Sequence, residues 1–395
     1  MNGANHASAF NPVGIEELMA SYVASGKTAG MLTLVSRRGE IEHLGCHGYA
    51  DIASGTPLRE DTIFRIYSMT KPITSVALMT LMEQGHFNLD DAARRWIPAL
   101  GNLEVYQQGK IESDITIRQL LTHTAGFSYG FEPDRNPVDE LYAKVWRGRI
   151  QDQTMEQVMQ TLLEFPLVAQ PGTLWHYSIA TDICGYLVEL MSGMPLADYL
   201  QRTILDPLDM TDTAFEVTAE RIDRFATLYG YSEDDPLVQL ERNETSPYIS
   251  AMSGIPVRLH SGGGGLTSTA GDYWRFAQMM LNDGELDGRR IINPDTVSLM
   301  TQNHVSEKLL PMSFNGIAPG EFSGYGFGLG YCINIDPART AAAGSAGDFG
   351  WGGMADTYCW VDPARQLVAI LMQQYLPSLH HPGRKDFRNA VYRAI

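Results

Sequence analysis

The chain has 395 residues, 44% of them hydrophobic and 10% aromatic, which suits one large or two ordinary domains at roughly 100–200 residues each and excludes a disordered or fibrous chain. Lysine and arginine number 29 against 46 acidic residues, a net charge of −17. That balance disfavours nucleic acid and anionic membrane surfaces as partners and is silent about a small neutral substrate. In chain order, Asn11 and Pro12 start a helix that carries Ile15, Leu18, Met19, Tyr22 and Val23 at helical spacing. GMLTLVSRRGEIEHLGCHGYAD follows, two β-prone runs about Arg38 and Gly39, and reads as a hairpin. A short run from Thr62 to Ile66 precedes a long apolar helix from about Ser68 to Gln84. The stretch 86–215 reads as mostly helical, with Thr116 capping TIRQLLTHTAG, Thr154 capping MEQVMQTLLEF, and a helix over Ser178 to Met191. Mixed structure then returns: a helix near Asp272–Leu281, strand-like runs at YGFGLGYCIN, MADTYCWVD and QLVAILMQQY, and a helical tail from about Gly383. Both ends are thus helical and border strand-rich sequence. The expectation is one α/β (α+β) domain built from 1–85 and 216–395, with a helical domain, 86–215, inserted.

Ser68-Met69-Thr70-Lys71 opens the apolar helix. Positions i and i+3 share a helix face, so Lys71 lies one turn above Ser68. A serine hydroxyl is a poor nucleophile until a base takes its proton. A lysine serves as that base when desolvation brings its pKa down from about 10.4. Val76, Leu78, Met79, Leu81 and Met82 supply the dry setting, and Pro72 is tolerated in the first turn. Alone, S-x-x-K is a weak signal, equally readable as a serine cap beside a solvated lysine.

The segment FRIYSMTKPITSVALM resembles the nucleophile segment of the serine β-lactamase and penicillin-binding-protein superfamily, and within it class C β-lactamases and the family VIII carboxylesterases. Further landmarks follow in that family's order: LLTHTAGF at 120–127, PGTLWHYSIATDICGYLVE at 171–189, DPLDMTDT at 206–213, SGGGGLTSTAGDYWRF at 261–276 and WGGMADTYCWVDP at 351–363. The collinearity covers nearly the whole chain and is far more specific than any one motif. The resemblance implies a β-lactamase/DD-peptidase-like fold, an antiparallel sheet flanked by helices plus a mostly helical inserted domain. It also implies that Tyr177, in Tyr177-Ser178-Ile179, is the family's catalytic tyrosine, a phenol that ionises easily beside the Lys71 ammonium.

Two positions depart from the lactamase pattern. Ile179 stands where an asparagine that holds a lactam or peptide amide is expected, and Trp351-Gly352-Gly353 stands where K-T-G is expected. W-G-G is the pattern of the esterase branch. The resemblance implies backbone N–H groups of Ser68 and Met354 as the oxyanion hole, and Trp351, Gly352, Gly353, Tyr129 and Ile179 as substrate-binding positions. The resulting expectation is a serine carboxylesterase that hydrolyses short-chain acyl esters through an acyl-serine, by a Ser68–Lys71–Tyr177 mechanism. It needs no cofactor or metal, and its partner is a small-molecule ester. A β-lactamase or D-amino-acid peptidase, or an acyltransferase, would share the nucleophile, and a dead penicillin-binding-like sensor is the non-enzyme alternative.

Other patterns carry less. Gly126-Phe127-Ser128-Tyr129-Gly130 matches G-x-S-x-G, but that elbow needs a strand before it and a helix after it. Here a helical stretch precedes it. Gly262 to Gly265, with His260 upstream, reads as a tight turn near the pocket. The histidines show no H-E-x-x-H spacing, and His123 reads as structural. Tyr129, Phe131, Trp175, Tyr248, Met252, Phe349 and Trp351 are candidates for an apolar rim. Cys46, Cys184, Cys332 and Cys359 are scattered and read as reduced thiols. With no bilayer-spanning apolar run and no basic or apolar signal region in MNGANHASAFNPVG, a cytoplasmic protein is expected. The oligomeric state is left open.

Overall fold

The computed structural model describes residues 10–134, 136–146, 152–240, 257–313 and 322–395. Ten α-helices are found among them: α1 Val13–Ala24, α2 Thr70–Glu83, α3 Ile117–Leu121, α4 Pro137–Trp146, α5 Met155–Leu162, α6 Ala180–Ser192, α7 Leu196–Leu200, α8 Ala270–Leu281, α9 Pro294–Met300 and α10 Gly383–Ala394. The main sheet has eight strands, β1 Gly30–Arg37, β2 Glu40–Asp51, β3 Thr56–Pro57, β4 Tyr325–Phe327, β5 Cys332–Asn334, β6 Phe349–Gly352, β7 Tyr358–Asp362 and β8 Leu367–Met372. Their spatial order is β4-β5-β6-β7-β8-β1-β2-β3, so β1 from one end of the chain pairs with β8 from the other. Every pairing in this sheet is antiparallel, with Leu32 opposite both Met372 and Cys46.

Side chains alternate across a strand, and the sheet uses both faces. Met31 and Val35 of β1, with Trp360, Leu367, Ala369 and Leu371, pack against Ile15 and Met19 of α1 and Phe387 and Val391 of α10. Leu32 and Leu34, with Val361, Val368, Ile370 and Met372, face a larger core that includes α2, α6 and α8. The terminal helices lie together, tied by the Asn11 N–H on the Ala394 carbonyl at 3.0 Å. The expected hairpin is present: Arg38 and Gly39 both have positive φ, 54° and 82°, as a tight two-residue connection between twisted strands requires.

YGFGLGYCIN, expected as one strand, is instead the hairpin β4–β5. The chain breaks at Gly330, whose φ of 90° excludes a continuous strand. Its N–H bonds the Leu121 carbonyl at 3.1 Å, and a Cβ there would overlap Ser75. Contact with α2 and α3, absent from the local sequence, sets that break. In the helical stretch both caps form as full boxes, Thr116 with Gln119 and Thr154 with Gln157.

The elements that carry the site are few. Helix α2 is buried from Thr70 to Leu81, consistent with its apolar composition on all sides. It begins two residues later than expected. Ser68 sits in a single 3₁₀ turn, Tyr67–Met69, entered through Tyr67 at φ 43°, a left-handed conformation that bulky residues adopt at a cost. A short ladder, Phe64–Arg65 with Thr267–Ser268, brings the glycine turn 261–265 beside the base of α2. Gly262 is wedged between helices: its carbonyl accepts from Thr74 Oγ1 at 2.8 Å, and a Cβ would press on the Thr181 carbonyl of α6. Among the described residues no helix is long and apolar enough to cross a membrane.

Candidate active site

The Ser68 hydroxyl is met from two sides. Tyr177 OH donates to Ser68 Oγ at 2.7 Å, and Lys71 Nζ lies 3.2 Å from the same oxygen. Ser68 lies in the 3₁₀ turn that leads into α2 and Lys71 in the first turn of that helix, and Tyr177 comes from the segment just before α6. Trp351 at the end of β6 closes the group, its Nε1–H on Tyr177 OH at 3.3 Å. The start of α2 and the segment before α6 thus meet at one hydroxyl, and β6 supports the tyrosine.

Lys71 is buried with a full set of acceptors: Ser68 Oγ, Tyr129 OH at 2.9 Å and the Gly263 carbonyl at 2.6 Å. Burial pulls its pKa down to about 7, and the nearby Asp182 carboxylate opposes that fall. An ammonium has three donors for these three acceptors; the neutral amine has a lone pair free to take the Ser68 proton. Asp182 is itself anchored. Its carboxylate accepts from Ser261 Oγ, from the Gly263 N–H at 3.1 Å and from Tyr129 OH at 3.2 Å, so Tyr129 connects it to Lys71. Burial raises the Asp182 pKa, and the Lys71 charge with these donors holds it back.

Tyr177 departs from expectation. Burial, the largest effect, raises its pKa above the ordinary phenol value, and the hydrogen bonds to Ser68 and Trp351 only partly offset this. Burial therefore favours the protonated phenol at Tyr177, while it brings the Lys71 ammonium towards neutrality. The ring is packed on all sides, parallel to Phe131 and 5.3 Å from Trp351 between centroids. The Lys71 ammonium lies 4.6 Å from its centroid.

Ser68, Tyr129, Tyr177 and Trp351 line a cavity of about 660 Å³. Gly353 is required where the end of β6 meets the segment before Ser68, because a Cβ would overlap the Ile66 carbonyl and the Thr357 hydroxyl. Gly352 admits the Arg384 guanidinium, which bonds the Gly353 carbonyl and pairs with Asp356 at 3.2 Å. The turn after β6 closes through Gly353 N–H to Thr357 and Asp356 N–H to Gly353, and neither bond uses the Met354 N–H. Met354 and Ser68 both border the cavity.

Of the other expected substrate positions, Trp351, Gly352, Gly353 and Tyr129 line the cavity. Tyr129 lies deeper in the chemistry than a rim residue, with its hydroxyl on Lys71. Ile179 must be corrected. It immediately precedes α6 as its N-cap, fully buried, with its N–H on the Ser128 carbonyl, and it is not among the cavity-lining residues. The helix start turns its side chain into the core. Phe131 lines the cavity, whereas Trp175 and Phe349 are buried outside its lining, and Tyr248 and Met252 lie outside the described residues. The sequence reading missed Asp182, Phe322 and Arg384. A carboxylate in the first turn of α6, on its buried side, was the available signal for Asp182; the other two carry none.

The elbow-like serine is a brace. Ser128 is fully buried, donates to Asp139 Oδ1 at 2.5 Å, accepts from the Gly130 N–H at 3.1 Å and touches His176 Nε2 at 3.2 Å. The glycine turn is the tight turn expected, and its Gly263 and Gly264 line the cavity. The four cysteines are free, and Cys332 lines the cavity wall. Among the described residues no cluster of three or more His, Cys, Asp or Glu has metal-holding geometry.

The β-lactamase family model matches residues 15–393. Protein Rv1367c of Mycobacterium tuberculosis is 35% identical over 90% of this chain and 88% of its own length. Esterase EstB of Burkholderia gladioli is 30% identical over 93% of this chain and 91% of its own. Among solved structures, EstCE1, described as a hydrolase with promiscuous acyltransferase activity, superposes with a TM-score of 0.83 at 26% identity, covering 96% of this chain and 98% of that one.

Proposed function

Since this chain belongs to the β-lactamase family and is a serine hydrolase, we propose that it is a carboxylesterase of the family VIII type, acting on short-chain acyl esters through an acyl-Ser68 intermediate. The observation that carries this reading is the double engagement of Ser68 Oγ by Tyr177 and by a buried Lys71 whose pKa lies at about 7. Neutral Lys71 takes the Ser68 proton as Oγ attacks the ester carbonyl. The backbone N–H groups of Ser68 and Met354 receive the developing oxyanion. The departing alkoxide takes a proton from the Tyr177–Lys71 pair, leaving the acyl group on Ser68. Water then gives a proton to that pair as it attacks the acyl carbon, and the pair returns it to Ser68 Oγ as the C–Oγ bond breaks and the acid leaves. Trp351 holds Tyr177 and offers an apolar face where amide-cleaving relatives have lysine, which favours esters over lactams. The domain division at 85 and 215 and a reducing, cytoplasmic setting, consistent with four free cysteines, belong to the same reading.

The test is the mass of the intact protein after mixing with p-nitrophenyl butyrate or with a chromogenic cephalosporin, wild type beside Ser68→Ala. Rapid p-nitrophenol release with little cephalosporin opening, both absent in the variant, is expected. Fast cephalosporin opening would assign the lactamase activity instead. A second reading, acyl transfer to an alcohol, is favoured by the size of the cavity and its aromatic lining, from Phe131 and Tyr177 to Phe322 and Tyr325. A long-lived acyl-Ser68 that alcohols discharge faster than water would establish it.

A further inference from the structure

The segment that carries Tyr177 is held by one residue that the proposed mechanism leaves unused. His123 lies in the loop after α3, at φ 55°, and is almost completely buried. Its carbonyl accepts the His176 N–H at 2.9 Å. Its Nδ1 faces Ser178, 3.4 Å from both the backbone nitrogen and Oγ. Tyr177 is thus gripped on the residue before it and the residue after it by the same histidine. The imidazole also packs against the tyrosine ring, 4.7 Å between centroids, and against Phe327 at 5.3 Å and Trp175 at 6.2 Å.

We propose that His123 is the positioning residue for Tyr177, a neutral imidazole whose Nδ1 and carbonyl fix the tyrosine backbone while its ring keeps water from the Tyr177–Lys71 pair. This rests on the Ser68–Lys71–Tyr177 reading. Because the Ser178 N–H donates to Nδ1, the ring proton is on Nε2. That nitrogen is buried with no hydrogen-bond partner among the described residues. A buried donor without an acceptor is costly to keep, and here it is surrounded by ring faces. The groups that bear on its charge are Lys71 on α2 and His176 on the Tyr177 segment, and both, together with burial, hold it neutral. A second cation beside Lys71 is thereby avoided. The left-handed φ is tolerated by histidine, asparagine and glycine far better than by most residues.

The tolerance of that φ makes the role separable. His123→Gly keeps the backbone conformation and removes the acceptor and the ring. His123→Asn places a side-chain oxygen where Nδ1 lies, and His123→Gln places its polar end nearer Nε2. With p-nitrophenyl butyrate, and with rates expressed per serine titrated by a fluorophosphonate, His123→Gly is expected to lower kcat roughly 10–100-fold with KM little changed, the loss typical of a misplaced catalytic group. Water admitted beside Lys71 raises its pKa, so the acid limb of kcat moves to higher pH in that variant. His123→Asn is expected to recover most of both, and His123→Gln less. A role in folding alone would reduce the titratable fraction and leave kcat per site and the acid limb in place, and that result overturns the proposal. If His123→Gly does not fold, the Asn and Gln variants decide: a higher kcat for Gln than for Asn overturns it. Tyr177→Phe, assayed alongside, separates the two levels. Full activity there removes the mechanism itself, whereas an inactive Tyr177→Phe beside a normal His123→Gly removes only this inference.

Discussion

Two serine hydroxyls in this molecule are each held by two polar side chains, and the two settings differ. Ser68 has a lysine and a tyrosine on its hydroxyl, and Ser128 has an aspartate and a histidine. By residue type the second set looks more like a hydrolase triad. Its geometry is different: the aspartate binds the serine directly instead of orienting the histidine, and the hydroxyl is sealed from the cavity. A carboxylate accepting the serine proton at 2.5 Å locks that hydroxyl as a donor, and burial leaves no room for a carbonyl. Around Ser68 the hydroxyl oxygen accepts from Tyr177, its proton faces a base near neutrality, and the cavity opens beside it. What distinguishes a nucleophile from a brace is therefore who donates to whom, and which oxygen a substrate can reach.

The sharpest break of that comparison is the exchange of alanine for each serine. Ser68→Ala is expected to lower ester turnover on the order of 10⁴-fold or more with the thermal midpoint nearly unchanged. Ser128→Ala strands Asp139 and is expected to cost about 1–3 kcal/mol in denaturant unfolding while kcat changes little. The reverse pattern would revive the elbow reading. Tyr177→Phe follows, with a loss of roughly 10²–10⁴-fold in kcat. Gly353→Ala should cost on the order of 10²-fold, since the added Cβ pushes the end of β6 off Ile66 and displaces the Met354 N–H proposed as an oxyanion donor. Gly352→Ala should cost less, because it meets the end of a flexible Arg384.

The smaller effects concern protons. Lys71 must be neutral to act as base, so kcat/KM is expected to be lost as pH falls through about 7 and to be present above it. The Asp182 charge raises the Lys71 pKa, so Asp182→Asn should shift that acid limb to lower pH, by roughly one unit. A shift upward would mean that the anion does not act on Lys71. Trp351→Phe removes one hydrogen bond to Tyr177 and is expected to cost about 1 kcal/mol, near fivefold in kcat, read from initial rates.

Much of the site was legible because its parts are local or ordered along the chain. Ser68 and Lys71 share a helical turn, and periodicity alone places one above the other. The hairpin at Arg38, the caps at Thr116 and Thr154, and the terminal helices follow from short-range signals. Tyr177 and the W-G-G segment were found through the collinear resemblance, since no spacing rule connects them to Ser68. Ile179 illustrates the limit of that route. Its alignment with a substrate-binding asparagine suggested a cavity position, but the start of α6 buries it.

The sequence by itself determined that a serine and a lysine would meet at the head of a largely apolar helix and that two strand-rich ends would flank a mostly helical middle. Only the tertiary structure decided the protonation states. Whether Lys71 falls to about 7 and Tyr177 rises depends on how completely each is dehydrated and on Asp182 lying behind Tyr129. Those are distances between groups far apart in the chain, set by packing, and desolvation is a property of the assembled core rather than of any segment.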